Sequence, residues 1–113
     1  NNLTQEDFSN ILREPKNALT KQYEALFTAE NVTLTYQEDA LDEIANIAFQ
    51  LNSQMENIGA RRLHTVMSKL LNDFLYDVPD EIKPGTTLNI TREMVQEKLS
   101  VLVEDKDLSQ YIL

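Results

Sequence analysis

Two adjacent arginines, Arg61 and Arg62, open the strongest helical pattern in the chain, in the run Glu56-Asn57-Ile58-Gly59-Ala60-Arg61-Arg62-Leu63. A guanidinium is the side chain best shaped to hold phosphate or carboxylate through two parallel hydrogen bonds. Its placement here opposes helix electrostatics: the N-terminal end carries partial positive charge, and a cation in the first turn costs roughly 0.3–1 kcal/mol. A local rule broken in this way marks a candidate functional position. An anion at that helix end would reverse the sign, because free N–H groups, the dipole and the guanidinium groups would converge on it. Phosphate is the leading candidate; the bland alternative is an ion pair with a nearby acid such as Glu56.

Other chemistry is sparse. A phosphate-binding loop needs glycines followed by Lys and Ser/Thr, and the only glycines, Gly59 and Gly85, start no such run. The chain can therefore complete a nucleotide site built elsewhere but cannot form one alone. His64 is the sole histidine and Cys is absent, which argues against zinc and leaves no nucleophile with a partnered base. The acidic groups Glu38-Asp39, Asp42-Glu43 and Glu104-Asp105 lack the spacing and central glycine of a calcium loop; they read as solvated faces. No catalytic residue and no metal ligand is expected. The apolar end Tyr111-Ile112-Leu113, after a charged spacer, either folds back on the core or inserts into a partner's pocket with its carboxylate fixing orientation.

Composition narrows the classes further. A length of 113 residues fits one domain with a sizeable core. A net charge of −9 argues against a nucleic-acid binder and against adhesion to anionic membranes. No apolar run approaches the ~18 residues of a membrane span, and no secretory signal is visible. The absence of Cys is compatible with a reducing cytosol. A start at Asn-Asn rather than Met suggests a fragment of a longer protein.

The elements that must position the arginines follow from periodicity. Thr4 caps a first helix, with Asp7 completing an approximate capping box and Phe8, Ile11 and Leu12 on one face; Pro15 ends it. A second helix spans about 18–30, with Leu19, Tyr23, Leu26 and Phe27 as its stripe. Residues 32–36 alternate as a strand. A third helix runs from about Gln37 to Leu51 on Leu41, Ile44, Ala45, Ala48 and Phe49, and 52–57 reads as a polar loop. The fourth carries Leu63, Val66, Met67, Leu70, Leu71, Phe74 and Leu75 without a miss. That phase puts Arg61 on the opposite face with Thr65, Ser68 and Asn72, and Arg62 nearer the boundary. Residues 80–85 form a turn, 88–90 a second strand, and Thr91 caps a last helix bearing Met94, Val95, Leu99 and Leu102. The fold class is α+β, mainly helical, with four to five helices and a small sheet of two or three strands.

Three separated motifs carry a family resemblance. Glu14-Pro15-Lys16-Asn17-Ala18-Leu19-Thr20-Lys21-Gln22-Tyr23 resembles the start of the small C-terminal (lid) subdomain of AAA+ unfoldases of the HslU and ClpX type. Glu56 to Thr65 is similar to the sensor-2 segment of HslU, also called ClpY. Asp107-Leu108-Ser109-Gln110-Tyr111-Ile112-Leu113 resembles the HslU tail, with Gln110 where that family commonly has Arg. The ClpX type shares the first motif, has another residue after its sensor arginine and lacks the ending.

The resemblance implies a cytoplasmic, hexameric, ATP-dependent unfoldase that feeds protein substrates to the HslV peptidase. It implies a domain over residues 1–103 and a docking tail over 104–113. Arg61 would be the sensor-2 arginine, supported by Gly59, Ala60 and Arg62, contacting ATP bound with Mg on the protein's own large AAA+ domain and beside neighbouring subunits. The tail residues Asp107, Leu108, Ser109, Gln110, Tyr111, Ile112 and Leu113 would dock to and activate HslV. The fragment alone is expected to be inert and to hold no nucleotide tightly. Two alternatives stand beside it: a ClpX-type small domain without tail docking, and a free-standing acidic helical adaptor.

Overall fold

The computed structural model describes residues 3–14, 19–54, 58–59 and 61–104. The helix stop at Pro15, the acid Glu56, the supporting residue Ala60 and the tail residues 107–113 lie outside them. The described residues form α1 (Gln5–Arg13), α2 (Leu19–Thr28), β1 (Thr33–Tyr36), α3 (Glu38–Gln54), α4 (Arg61–Tyr76), β2 (Thr87–Ile90) and α5 (Arg92–Glu104).

Helix α1 starts where the sequence indicates. The Asp7 N–H donates to Thr4 Oγ1 at 3.1 Å, and the Thr4 N–H donates to Asp7 Oδ2 at 2.9 Å, satisfying two donors that the first turn leaves open. Phe8 and Leu12 face α3 and are buried. Arg13 at the other end pairs with Glu38 at 3.1 Å and Asp42 at 2.9 Å, which ties α1 to the first turn of α3.

Helix α2 ends in a Schellman motif. The Val32 N–H donates to the Phe27 carbonyl and the Asn31 N–H to the Thr28 carbonyl, both at 2.9 Å. Asn31 takes the left-handed conformation the motif requires, with φ 61°. Phe27 and Val32, at the positions such motifs bring together, are both buried. The stripe of α2 differs from the expectation in one member: Leu26 is 49% exposed, whereas Thr20 is buried. Leu19, Tyr23 and Phe27 repeat every four residues and set the row, and Leu26 falls about 100° away from Phe27.

The sheet has two parallel strands, with Leu34 opposite Leu88 and Tyr36 opposite Ile90. Period-two alternation turns Leu34 and Ile90 inward and leaves Thr35 and Asn89 outside, joined by a 2.9 Å hydrogen bond. Gly85, at φ 90°, donates its N–H to the Asn31 carbonyl at 2.6 Å, clipping together the entries of both strands. The Tyr36 hydroxyl donates to the Thr20 carbonyl at 3.3 Å. Burial first, then Glu24 and Tyr23, push its pKa well above the usual value, so it stays a neutral donor.

Helix α3 is the centre of the fold and packs against α1, α4 and α5. Ala40, Ile44, Ala45, Ile47, Ala48 and Leu51 are all buried, a wider arc than one stripe because neighbours cover it on several sides. It also runs one turn beyond the expected end: Asn52, expected in a polar loop, is helical and 4% exposed. Helix α5 is capped by Thr91, whose Oγ1 accepts from the Met94 N–H at 3.2 Å. It buries Val95, Leu99 and Leu102, and Lys98 lies 4.8 Å from the Phe74 ring centroid of α4.

Candidate anion-binding site at the start of α4

Helix α4 buries Leu63, Val66, Met67, Leu70 and Leu71 completely, each contributing roughly 1.5–3 kcal/mol relative to exposure. That packing fixes the rotation of the helix about its axis, and so fixes where each arginine points. Arg61 is exposed. Among the described residues it makes no ion pair or hydrogen bond. Its face carries the expected polar strip: Asn72 Nδ2 donates to Ser68 Oγ at 3.0 Å, and Thr65 Oγ1 donates to the Arg62 carbonyl at 2.8 Å. His64 is exposed as well.

Arg62 departs from the expectation. Placed nearer the boundary by spacing, it is 2% exposed and among the largest fully buried side chains. Arg62 precedes Val66 by four residues and Val66 precedes Leu70 by four, so its Cβ lies on a row that is buried throughout. An arginine can extend such a row because its stem is hydrocarbon. The two guanidinium groups therefore diverge. One belongs to the core and the other to solvent.

The approach to α4 is shaped by backbone. Gly59 has φ +65°, a conformation L side chains rarely adopt. A Cβ there would meet nothing within 4 Å, so the glycine answers to the dihedral angle and not to crowding. The Arg62 N–H donates to the Gly59 carbonyl at 2.9 Å. Upstream, Asn52 Oδ1 accepts from the Ile58 N–H at 3.0 Å and the Gly59 N–H at 3.2 Å. Two donors converging on one atom identify it as the carbonyl oxygen of the amide. The periodicity of α3 held the signal for this residue, since Asn52 follows the buried Ala48 by four positions.

The arrangement thus brings Gly59, Arg61 and Arg62 to one helix start and sends the Arg61 guanidinium outward. A depression of about 270 Å³ lined by Asn72, Leu75 and Tyr76 lies at the other end of α4, at least roughly 16 Å from Arg61 along the helix at 1.5 Å per residue. It takes no part in this site. No group of three metal-ligating side chains occurs among the described residues, and no helix there is long and apolar enough to cross a membrane.

Comparison with known proteins gives this geometry a context. Residues 3–90 match the family described as the C-terminal, D2-small domain of ClpB protein. The chain is 59% identical over its whole length to the ATP-dependent protease ATPase subunit HslU of Cytophaga hutchinsonii, of which it covers 24%. It is 50% identical over 111 residues to the subunit of the same name in Listeria monocytogenes serotype 4a, covering 23% of that protein. The chain therefore spans about a quarter of the length of these curated relatives. Five helices and a two-stranded parallel sheet among the described residues, together with the match over residues 3–90, show that the chain belongs to the family of AAA+ C-terminal small domains.

Proposed function

We propose that this domain serves an HslU-type ATP-dependent unfoldase, in which Arg61 acts as the sensor-2 arginine on a nucleotide bound by a separate large AAA+ domain. One observation carries the reading: Arg61 stands exposed at the first residue of α4, where an anion would relieve its conflict with the helix dipole. The name shared by the relatives, ATP-dependent protease ATPase subunit, supplies the nucleotide. Arg62 supports the site from within the core and Gly59 shapes the approach, with Ala60 as a further supporting residue by its place in the motif.

The mechanism follows from rigidity. Arg61 is fixed to α4, and α4 is fixed to the core by five fully buried apolar side chains. A guanidinium that grips the terminal phosphate of ATP with paired, charge-assisted hydrogen bonds holds the whole domain in one orientation. Loss of that phosphate releases the domain, and the hinge swings. The domain contributes to a homohexamer, and the tail, residues 107–113, docks to and activates an HslV-type peptidase that receives the unfolded protein. ATP enters with Mg, held by the large domain.

The test is Arg61→Ala in the full-length protein that carries this domain. The kcat/KM for ATP should fall by roughly tenfold or more, the loss of one charge-assisted contact at about 1.5–3 kcal/mol. Unchanged ATP hydrolysis together with unchanged protein degradation would refute the sensor role.

A further inference from the structure

From the two hydrogen bonds that join the last turn of α3 to the residues before α4, we infer that Asn52 is the positioning residue for Arg61. The inference rests on the sensor reading of Arg61 and adds to it the element that aims the guanidinium.

Core packing fixes how α4 is rotated, but it does not fix the path by which the chain enters the helix. Among the described residues, that entry is held by Asn52. Its side chain is 4% exposed and sits in the last turn of α3, and its Oδ1 receives the N–H groups of Ile58 and Gly59 at 3.0 and 3.2 Å. Gly59 in turn receives the Arg62 N–H at 2.9 Å. A connected path of hydrogen bonds thus runs from the helix at the centre of the fold, through the left-handed glycine, to the first turn of α4. Two neighbouring amides satisfied by one rigid acceptor leave the loop little freedom. Without that acceptor they would seek water, and the helix start would follow them.

A polar side chain buried at a helix end also has a purely structural reading, that it seals α3. The two readings separate in a double-variant cycle on the full-length protein, with ATP as the probe. Asn52→Leu keeps the branching of the side chain and removes the acceptor. It should lower kcat/KM for ATP roughly tenfold, as expected for two neutral hydrogen bonds, and have no further effect when added to Arg61→Ala. Asn52→Asp, whose carboxylate accepts from both amides, should retain activity within about threefold of wild type. Amide exchange at Ile58 and Gly59 should speed up in Asn52→Leu and not in Asn52→Asp. If Asn52→Leu fails to fold, Asn52→Ser, with a hydroxyl too short to span both amides, carries the same comparisons.

Wild-type kcat/KM in Asn52→Leu beside a crippled Arg61→Ala would overturn the positioning role and leave the sensor reading standing. A loss that adds in full to that of Arg61→Ala, or an equal loss in Asn52→Asp, would overturn it too. An unimpaired Arg61→Ala would overturn both.

Discussion

Replacing Arg61 by Ala should make the domain more stable, although the proposed sensor role has the same change impair nucleotide handling in the full-length protein. In the folded chain the guanidinium is exposed and, among the described residues, makes no ion pair or hydrogen bond. No such contact is lost on truncation. What is removed is a cation from the first turn of α4, a repulsion of roughly 0.3–1 kcal/mol. Ala is at least as good a helix former as Arg, so propensity does not oppose the gain. The change also makes a chain of net charge −9 more negative by one. That effect is spread over distances beyond the Debye length of about 8 Å at physiological salt, and screening leaves the local dipole dominant. For a domain of this size the net gain corresponds to a rise of about 1–6 °C in Tm.

Urea unfolding of the 113-residue chain, followed by far-UV circular dichroism, reads the difference as a shift in midpoint at constant slope. The gain should be largest at low salt and shrink at about 1 M, where the Debye length falls to about 3 Å. Arg62→Ala is the internal contrast. Its side chain is 2% exposed, and truncation should cost about 2–5 kcal/mol, as for other large buried residues. Should Arg61→Ala instead destabilise the chain by more than about 0.5 kcal/mol at low salt, the guanidinium is held by a partner such as Glu56. An equal loss in Glu56→Gln would then identify the pair, and the electrostatic argument for a functional arginine would fall.

Two further outcomes bear on the entry to α4 and on the tail. Gly59→Ala should destabilise by about 1–2 kcal/mol, the cost of a left-handed L-residue, and Gly59→Asn by less, because Asn tolerates that region. A urea midpoint implying more than about 3 kcal/mol for Gly59→Ala would reveal crowding, against the open space around its Cβ. Removal of Tyr111 to Leu113 from the full-length protein should abolish peptidase activation while ATP hydrolysis persists; full activation by the truncated protein would rule out tail docking.

The parts legible from sequence are those governed by local physics. Thr4 and Asp7 announce their capping box three residues apart, and the apolar row of α4 follows helical spacing closely enough to assign Arg61 to the outer face. The misreadings all arise where tertiary packing overrides a local preference. Leu26 is apolar but points away from the row that Phe27 sets. Asn52 is a turn-forming residue by type, yet it sits in α3 because its amide satisfies Ile58 and Gly59. Arg62 is charged, and the helix nonetheless buries it. The parallel pairing of β1 and β2 depends on how α3 and α4 cross between them, which no periodicity encodes.

One residue of helix, a turn of about 100°, separates an arginine in the core from one in solvent, and that step explains why the pair is adjacent. In the sensor role proposed for Arg61, reporting a phosphate to a whole domain needs both a contact and a rigid connection to the core. Arg61 alone, on a long flexible stem, could follow a departing phosphate without moving anything else. With Arg62 and Leu63 locked into the core and Asn52 holding the entry, α4 cannot roll to let Arg61 follow. Any pull on the guanidinium must then displace α3 and α5 as well, since both pack on α4. On this reasoning, variants that loosen the α4 core without touching Arg61, such as Met67→Ala, should uncouple ATP hydrolysis from unfolding before they abolish hydrolysis itself. Loss of both activities in equal proportion would show that the connection is not what transmits the signal.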